Sequence, residues 1–590
     1  MKHQVLAGSF SALERRFLET IAELQRTDPL APVPVLVGSN ILAAYLRKRI
    51  AEESAGAANV RFYTFLDLVN RLAGAAGSKA RLTDLAAARI LEDLLAQRTP
   101  AVFRQVAGLA GFRAALLATF RDLRDAGVSP QVLDESVRTL LRVEPERADH
   151  LRGLSDLFGQ YRQAAASFHD VGDDFRLALD GARDAPRILQ SGRLLVYGIY
   201  DVTGLQSELL DTMSRALEIT LFVPFVDESA SGFAAPFLKE KAAVLRADPI
   251  RLPAPQGPEG LSALAERIFS SADSWGGPLP DDGSFALLSV PGDSRAAVEI
   301  VREILRAVRE GVIRGFYEAA VILRHPEEDV ALLGEVLRTR GIPYYLHGGS
   351  SFAARPLARA VASILALESE GFARQAVLAA MESIGAALPE AEAGRWQSEE
   401  WRALTNDYRF LAGADAWESG TRALLEEARR ELADAERRPA GSDDSDSDEG
   451  EPPVESARRR FESARLLRAG WEALRDAAAG WPANLPWGGW ARLLEERLEP
   501  LLGASEDWER FSTALDDLAA LEPVHGAQPV ARSRALAALG EALASLTRPE
   551  GRFLENGINL LSTAAARGLR FPLVIVPGLE EGKFPARLRQ

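Results

Sequence analysis

Cysteine is absent from this 590-residue chain. That excludes disulfides, thiolate zinc sites and cysteine-ligated iron–sulfur clusters within it, and it fits the cytoplasm. Histidine is scarce: His3, His150, His169, His325, His347 and His525 are scattered, with no H-x-x-x-H or HExxH spacing to build a zinc site. No run of about 18 apolar residues offers a membrane span, and no charged n-region with a long apolar h-region marks the N-terminus. G-x-S-x-G is missing, and without Cys there is no Cys–His nucleophile. Basic residues are outnumbered, 69 to 84, for a net charge of −15. This argues against a surface coated for nucleic acid, although a basic channel needs no basic surface. Part of the deficit is local. "GSDDSDSDEGEPP" (441–453) holds Asp443, Asp444, Asp446, Asp448, Glu449 and Glu451 with no base and reads as a disordered, solvated loop.

What is present is rich in Leu, Ala and Arg, a globular and helical composition, and the length suggests about three to five domains. Short β-branched or aromatic runs predict strands at 5–7, 33–38, 60–65, 193–199 and 219–225. Helical patterns such as "NILAAYLRKRIAEE" follow them, as in a doubly wound parallel sheet. A second set is predicted at 285–290, 318–323, 342–347, 558–563 and 572–578. Residues 75–190 and 361–553 read as helical insertions, one into each α/β core. The second insertion carries eight of the nine tryptophans. These read as core residues, with stacking on DNA bases the alternative for one or two.

The opening stretch "HQVLAGSFSALERRFLETIAEL" (3–24) has the strand–turn–helix layout of a phosphate-binding loop. The working form is [G/A]-x-x-x-x-G-K-[ST], whose lysine reaches the β/γ-phosphates and whose hydroxyl holds Mg²⁺. Ala7 fits the first position and Gly8 supplies the turn. Ala12, Leu13 and Glu14 occupy the places of Gly, Lys and Ser/Thr. Leucine cannot offset phosphate charge, and glutamate repels it.

The most specific stretch is "LLSTAAARGLRFPLVIVPGLEEGKFP" (560–585). It resembles motif V and its continuation in UvrD/Rep-type DNA helicases, with Gly568, Leu569, Phe571, Gly578, Glu581, Gly582, Phe584 and Pro585 in register. Ala564, Arg567 and Arg570 replace the motif's His, Lys and Glu. "VRFYTFLDLVNRL" (60–72) is similar to the segment after motif Ia, keeping Thr64 and Phe65. "LLVYGIYDVTGLQSELLDTM" (194–213) is similar to motif II, but Tyr197 and Gly198 replace the Mg²⁺-organising Asp and the water-handling Glu, while Asp201 and Gln206 remain. "EAAVILRHPEEDVALLGEVLRTRGIPYYLHGG" (318–349) resembles motif IV, with Arg324 at its arginine. In active relatives that arginine approaches the γ-phosphate; a strand-end salt bridge or DNA contact is the preferred reading here. "GIYDVTGLQ" (198–206) matches the variant box of the B subunit of AddAB-type helicase–nucleases.

That resemblance implies two RecA-like P-loop-type cores in a superfamily 1 helicase layout. The expected boundaries are 1–74 and 191–283 for the first core, 284–360 and 554–590 for the second, and insertions 75–190 and 361–553. It implies a region inactive as an ATPase, binding neither ATP nor Mg²⁺, that contacts single- or double-stranded DNA ends and an active A-type partner in double-strand break repair. Thr64, Phe65, Ser562, Thr563 and Arg567 are the expected DNA contacts, with Phe65 better read as core. The family continues into a PD-(D/E)XK nuclease with Mg²⁺ and an iron–sulfur cluster, which is expected beyond Gln590. Glu581-Gly582-Lys583 has the E-x-K form but lies inside the helicase match. A motor still hydrolysing ATP and a DNA-free protein adaptor remain the alternatives. Deleting residues 441–453 should leave the melting temperature nearly unchanged, since a solvated charge run buries little surface; a drop of many degrees in calorimetry would show that it is packed.

Overall fold

The first strand, β1 (Gln4–Gly8), is buried from Val5 to Gly8. Helix α1 (Phe10–Thr27) starts after one intervening residue, Ser9, which caps it. The alternation continues through β2 (Val33–Val37), α2 (Asn40–Glu53), β3 (Val60–Tyr63) and α3 (Phe65–Ala73). Helices fill most of the chain up to β4 (Arg193–Tyr197), which β5 (Glu218–Pro224) and β6 (Pro249–Arg251) follow. These strands form one sheet in the order β3-β2-β4-β5-β1-β6, with every neighbouring pair parallel. All five residues of β2 are buried, as a strand covered on both faces requires. Leu13, Phe17 and Leu46 of α1 and α2 pack on one face, and Leu68, Leu72, Phe175 and Leu209 lie in the cluster on the other. The computed structural model describes residues 2–53, 57–74, 79–140, 145–226, 231–253, 257–268, 276–396, 398–407, 410, 412–437, 453–582 and 584.

The second sheet begins with β7 (Ala319–Leu323) and β8 (Tyr344–Ser351). A two-residue antiparallel pair, β9 (Asn484–Leu485) and β10 (Val530–Ala531), stands apart. Then β11 (Thr547–Glu550), β12 (Ile558–Ser562) and β13 (Leu573–Ile575) complete a five-stranded sheet in the order β11-β8-β12-β7-β13. Its strands β8, β12, β7 and β13 run parallel. The chain is thus α/β. It packs as two units: Met1–Leu82, Ile90–Gly349 and Pro549–Gln590 form one, Thr83–Arg89 and Ser350–Arg548 the other.

Several sequence expectations need correction. Residues 285–290 form no strand and have no regular secondary structure, with Leu287 88% exposed. Apolar alternation supplies strand propensity but not a partner edge. β6 and β11 were not expected; both lie at the edges of their sheets, where their prolines (Pro249, Pro549) are tolerated. β3 stops at Tyr63 rather than reaching Phe65 because Thr64 caps α3, in a reciprocal box with Asp67. The acidic run at 441–452 lies outside the described residues, as do Lys583 and Pro585. Among the described residues no helix is long and apolar enough to cross a membrane, and no group of three His, Asp or Glu is placed to hold a metal ion.

The second unit packs its indoles inward: Trp401, Trp417, Trp471, Trp487 and Trp490 are all fully buried. Trp417 and Trp471 stack at 5.4 Å between the helices Ala414–Arg437 and Pro453–Ala478. Beside them the Glu418 carboxylate accepts from Arg468 at 2.6 Å, Arg422 at 2.8 Å, Arg475 at 3.0 Å and Trp471 Nε1 at 3.3 Å. The Arg468 hydrogen bond leads the pull on this carboxyl, from the usual 4.5 down to about 2, against the opposing effect of desolvation. A depressed carboxyl stabilises the fold above its unfolded pKa and loses that contribution as pH falls through the folded value. Glu418→Gln should therefore lower the melting temperature at neutral pH, and its difference from wild type should shrink as pH falls from 4.5 toward 2. A difference independent of pH would show that the carboxylate charge does not matter.

Candidate functional site

In open parallel sheets, ligands bind beyond the carboxyl ends of the strands. In the first sheet β5 lies between β1 and β4, and Gly8 and Tyr197 end those two flanking strands. A phosphate cradle needs a loop whose successive N–H groups converge at a helix N-terminus. Here Ser9 alone separates β1 from α1, and its hydroxyl already accepts the Ala12 N–H at 3.3 Å. Leu13 N–H is bonded to the Ser9 carbonyl at 2.9 Å. Ala7, Gly8 and Ala12 are buried in ordinary strand and helix, with no cradle between them.

The two positions that would carry lysine and aspartate are apolar neighbours instead. Leu13 and Tyr197 are both fully buried in one cluster with Phe17 and Phe222, and the Tyr197 ring lies 5.0 Å from Phe17. Its hydroxyl has no hydrogen-bond partner among the described residues. Burial, and then the nearby Glu14 carboxylate, push it well above the usual phenol range.

Glu14, at the metal-binding hydroxyl's place, is 2% exposed and faces α2. Tyr45 Oη donates to its Oε2 at 2.6 Å and Arg49 Nε to its Oε1 at 2.8 Å. Arg570 from the end of the second sheet stands 3.9 Å away. Burial, then the same carboxylate, raises the Tyr45 phenol and keeps it a donor. Arg49 is further held by Glu52 at 2.7 Å and by Glu53. Lys48 Nζ donates to the Leu554 carbonyl at 3.0 Å and sits over the Tyr317 ring. These cations are committed to protein groups rather than presented to a phosphate.

Apolar contacts close the rest of the junction between the sheets. Gly198 and Gly568 both have positive φ, 69° and 76°. A Cβ on Gly568 would lie 3.2 Å from the Phe10 ring and 3.4 Å from Leu42, and one on Gly198 would lie 3.3 Å from Leu42. Ile41 packs with Ala320, Leu561 and Ala565 of the second sheet. Gln206 serves as a helix cap: its side chain accepts from Thr203 N–H at 3.1 Å, and its own N–H reaches Thr203 Oγ1. Arg324 is half-buried at the carboxyl end of β7, before the helix Pro326–Thr339.

The expected DNA contacts all lie at carboxyl ends of strands, with different freedom. Thr64 Oγ1 is bonded to Asp67 Oδ2 at 2.7 Å, so a phosphate there would meet a carboxylate. Phe65 is partly buried and packs against the core cluster of its sheet face. Ser562 Oγ accepts the Ala565 N–H at 3.1 Å in the turn after β12. Thr563 and Arg567 are exposed, and the Arg567 guanidinium lies 5.8 Å over the Tyr200 ring. Tyr200 in turn contacts Phe233 at 4.8 Å, and Phe233 is 57% exposed. Tyr200 and Phe233 escaped sequence reasoning, as did Phe10, Tyr45 and Arg49 as partners, because no short motif links residues this far apart in the chain. The i, i+4 spacing of Tyr45 and Arg49 on α2 was the one local signal. No protein-family model matches the chain, and neither does any curated protein sequence.

Leu13→Lys should not restore nucleotide binding and should cost at least about 3 kcal/mol, because it buries an unpaired ammonium; micromolar Mg-ATP affinity by calorimetry would contradict the filled-site assignment. Tyr197→Phe removes only an unpartnered hydroxyl and should leave the melting temperature equal or higher.

Proposed function

We propose that the chain is an ATPase-inactive, helicase-like module that holds single-stranded DNA along the carboxyl ends of two RecA-like cores. The observation that carries this reading is the surface where exposed Arg567 and Phe233 flank the half-buried Tyr200 ring. It pairs a phosphate-seeking guanidinium with an aromatic face, the combination that binds single strands without reading sequence. The filled phosphate site supports the inactivity: a motor must bind and release nucleotide, and side chains occupy the space. On the same reading the module belongs to a repair helicase–nuclease subunit of the AddAB B type. It acts at double-strand breaks beside an active A-type subunit, and the exodeoxyribonuclease activity lies in a separate Mg²⁺-dependent domain.

The test is fluorescence anisotropy with labelled single strands of several sequences, beside a phosphate-release assay. Wild type should bind without ATP turnover. Arg567→Ala should weaken binding at every sequence and reduce the salt slope by about 0.7, the value for one single-strand phosphate contact. Phe233→Ala should cost about 1–3 kcal/mol if a base stacks there. Wild-type affinity in both variants would remove this surface from the DNA path. The exposed stretch 285–290 favours one second reading, a protein-binding adaptor; it predicts no single-strand binding even at about 50 mM salt, where phosphate contacts are strongest.

A further inference from the structure

The surface around Phe233 continues toward the edge of the first sheet. Phe233 sits in the helical turn Gly232–Ala234. Two residues before it, Ser231 Oγ accepts the Val226 N–H at 2.7 Å, and Val226, just beyond β5, is 43% exposed. The Val226 carbonyl accepts in turn from Arg251 Nη1 at 3.2 Å. Arg251 is the last residue of β6 and pairs in register with Ala7 of β1. Its guanidinium lies 5.6 Å over the Phe225 ring. Contacts thus run from Arg567 through Tyr200, Phe233 and Val226 to Arg251, along the carboxyl ends of β4, β5 and β6.

Arg251 repeats the build of Arg567. Elsewhere on this unit arginines answer carboxylates, as Arg16 does Glu23 and Arg314 does Glu318. Arg251 and Arg567 instead lie on aromatic faces and bond to neutral groups, a carbonyl and a phenol. A carbonyl does not neutralise a cation. Arg251 is exposed, and its Nε–H and Nη2 hydrogens have no partner among the described residues. Held over Phe225, the guanidinium is oriented before anything binds, which reduces the ordering cost of taking a phosphate. The exposed Asp201 carboxylate beside Tyr200 repels phosphate, which leaves that ring to a base and the phosphates to the two arginines. Asp227 and Glu228, next in sequence after Val226, lie outside the described residues.

From this arrangement we infer that the single strand runs on past Phe233 to Arg251, which holds a second backbone phosphate at the edge of the first sheet. This rests on the proposed single-strand reading for the identity of the ligand, and adds the direction and extent of its path. Phe233 and Val226 lie between the two arginines, so each arginine meets a different phosphate of one strand. Such contacts fix the register of the strand and read no sequence.

The test uses the full chain and a labelled oligothymidylate, read by anisotropy over a salt series. β6 is held by backbone pairing, so Arg251→Ala should leave the melting temperature nearly in place. It should bind about tenfold more weakly at low salt, as for loss of one charged hydrogen bond, and its salt slope should fall by about 0.7. Arg251→Lys should recover most of the slope but not all of the affinity, since the charge returns without the fork. Combining Arg251→Ala with Arg567→Ala should lower the slope by about 1.4, the value for two phosphate contacts. Wild-type affinity and slope in Arg251→Ala, beside weakening in Arg567→Ala, overturns the extension and leaves the proposed function standing. A lysine variant as weak as the alanine one overturns the phosphate contact, because packing on Phe225 is then what was lost. Weakening in Arg251→Ala beside wild-type binding in Arg567→Ala overturns the shared path. If wild type binds no oligonucleotide, the proposed function fails and the extension falls with it.

Discussion

A carboxylate buried at the start of a helix sets the terms for the junction between the two sheets. Glu14 sits where a phosphate site would place its metal-binding hydroxyl, and its charge has to be answered inside the protein. Tyr45 and Arg49 answer it from α2, with Arg570 nearby from the second sheet. Removing one partner of such a buried group typically costs about 3–5 kcal/mol, which explains why the surrounding cations are fixed rather than available. Around that charge, Phe10, Ile41 and Leu42 seal the apolar part of the junction. Leu13, Glu14 and Tyr197 are structural residues of this junction.

Much of this was legible in the sequence. Buried parallel strands write themselves as short continuous apolar runs, so β1, β2, β4 and β5 were visible without partners. The strand–helix alternation then pointed to a parallel α/β sheet. What the sequence concealed was pairing. The run at 285–290 has the pattern of a strand yet lies exposed, while β6 and β11 carry prolines and pair at their sheets' edges. That Leu13, Glu14, Tyr197 and Gly198 differ from the residues of the compared motifs was readable position by position. The contacts they make instead were not, because Glu14 and its α2 partners are 31 and 35 positions apart. The same holds for the Tyr200–Phe233–Arg567 surface: Arg567 and Tyr200 stood in separate recognisable motifs, and Phe233 in none.

Polar groups that looked functional divide by how their hydrogen bonds are used. Thr64, Gln206 and Ser562 are all engaged in capping or turning the backbone. Such residues persist in a fold for local reasons, whatever happens to its chemistry. Arg567 differs: it is exposed and lies against Tyr200, over the ring and hydrogen-bonded to the phenol, which leaves other N–H groups of its fork able to meet a phosphate. The distinction separates a motif kept as scaffold from one kept as surface.

The two left-handed glycines against Phe10 and Leu42 bear on reversibility. A nucleotide site could not be built into this junction by introducing charged residues one at a time. A lysine at position 13 would meet a sealed apolar cluster. Withdrawing Phe10 alone would leave a void beside Gly198 and Gly568, and lengthening the one-residue turn at Ser9 would shift the register of α1 against α2. Each step lowers stability before any such function appears. The packing that stabilises this junction also restricts what it can be changed into.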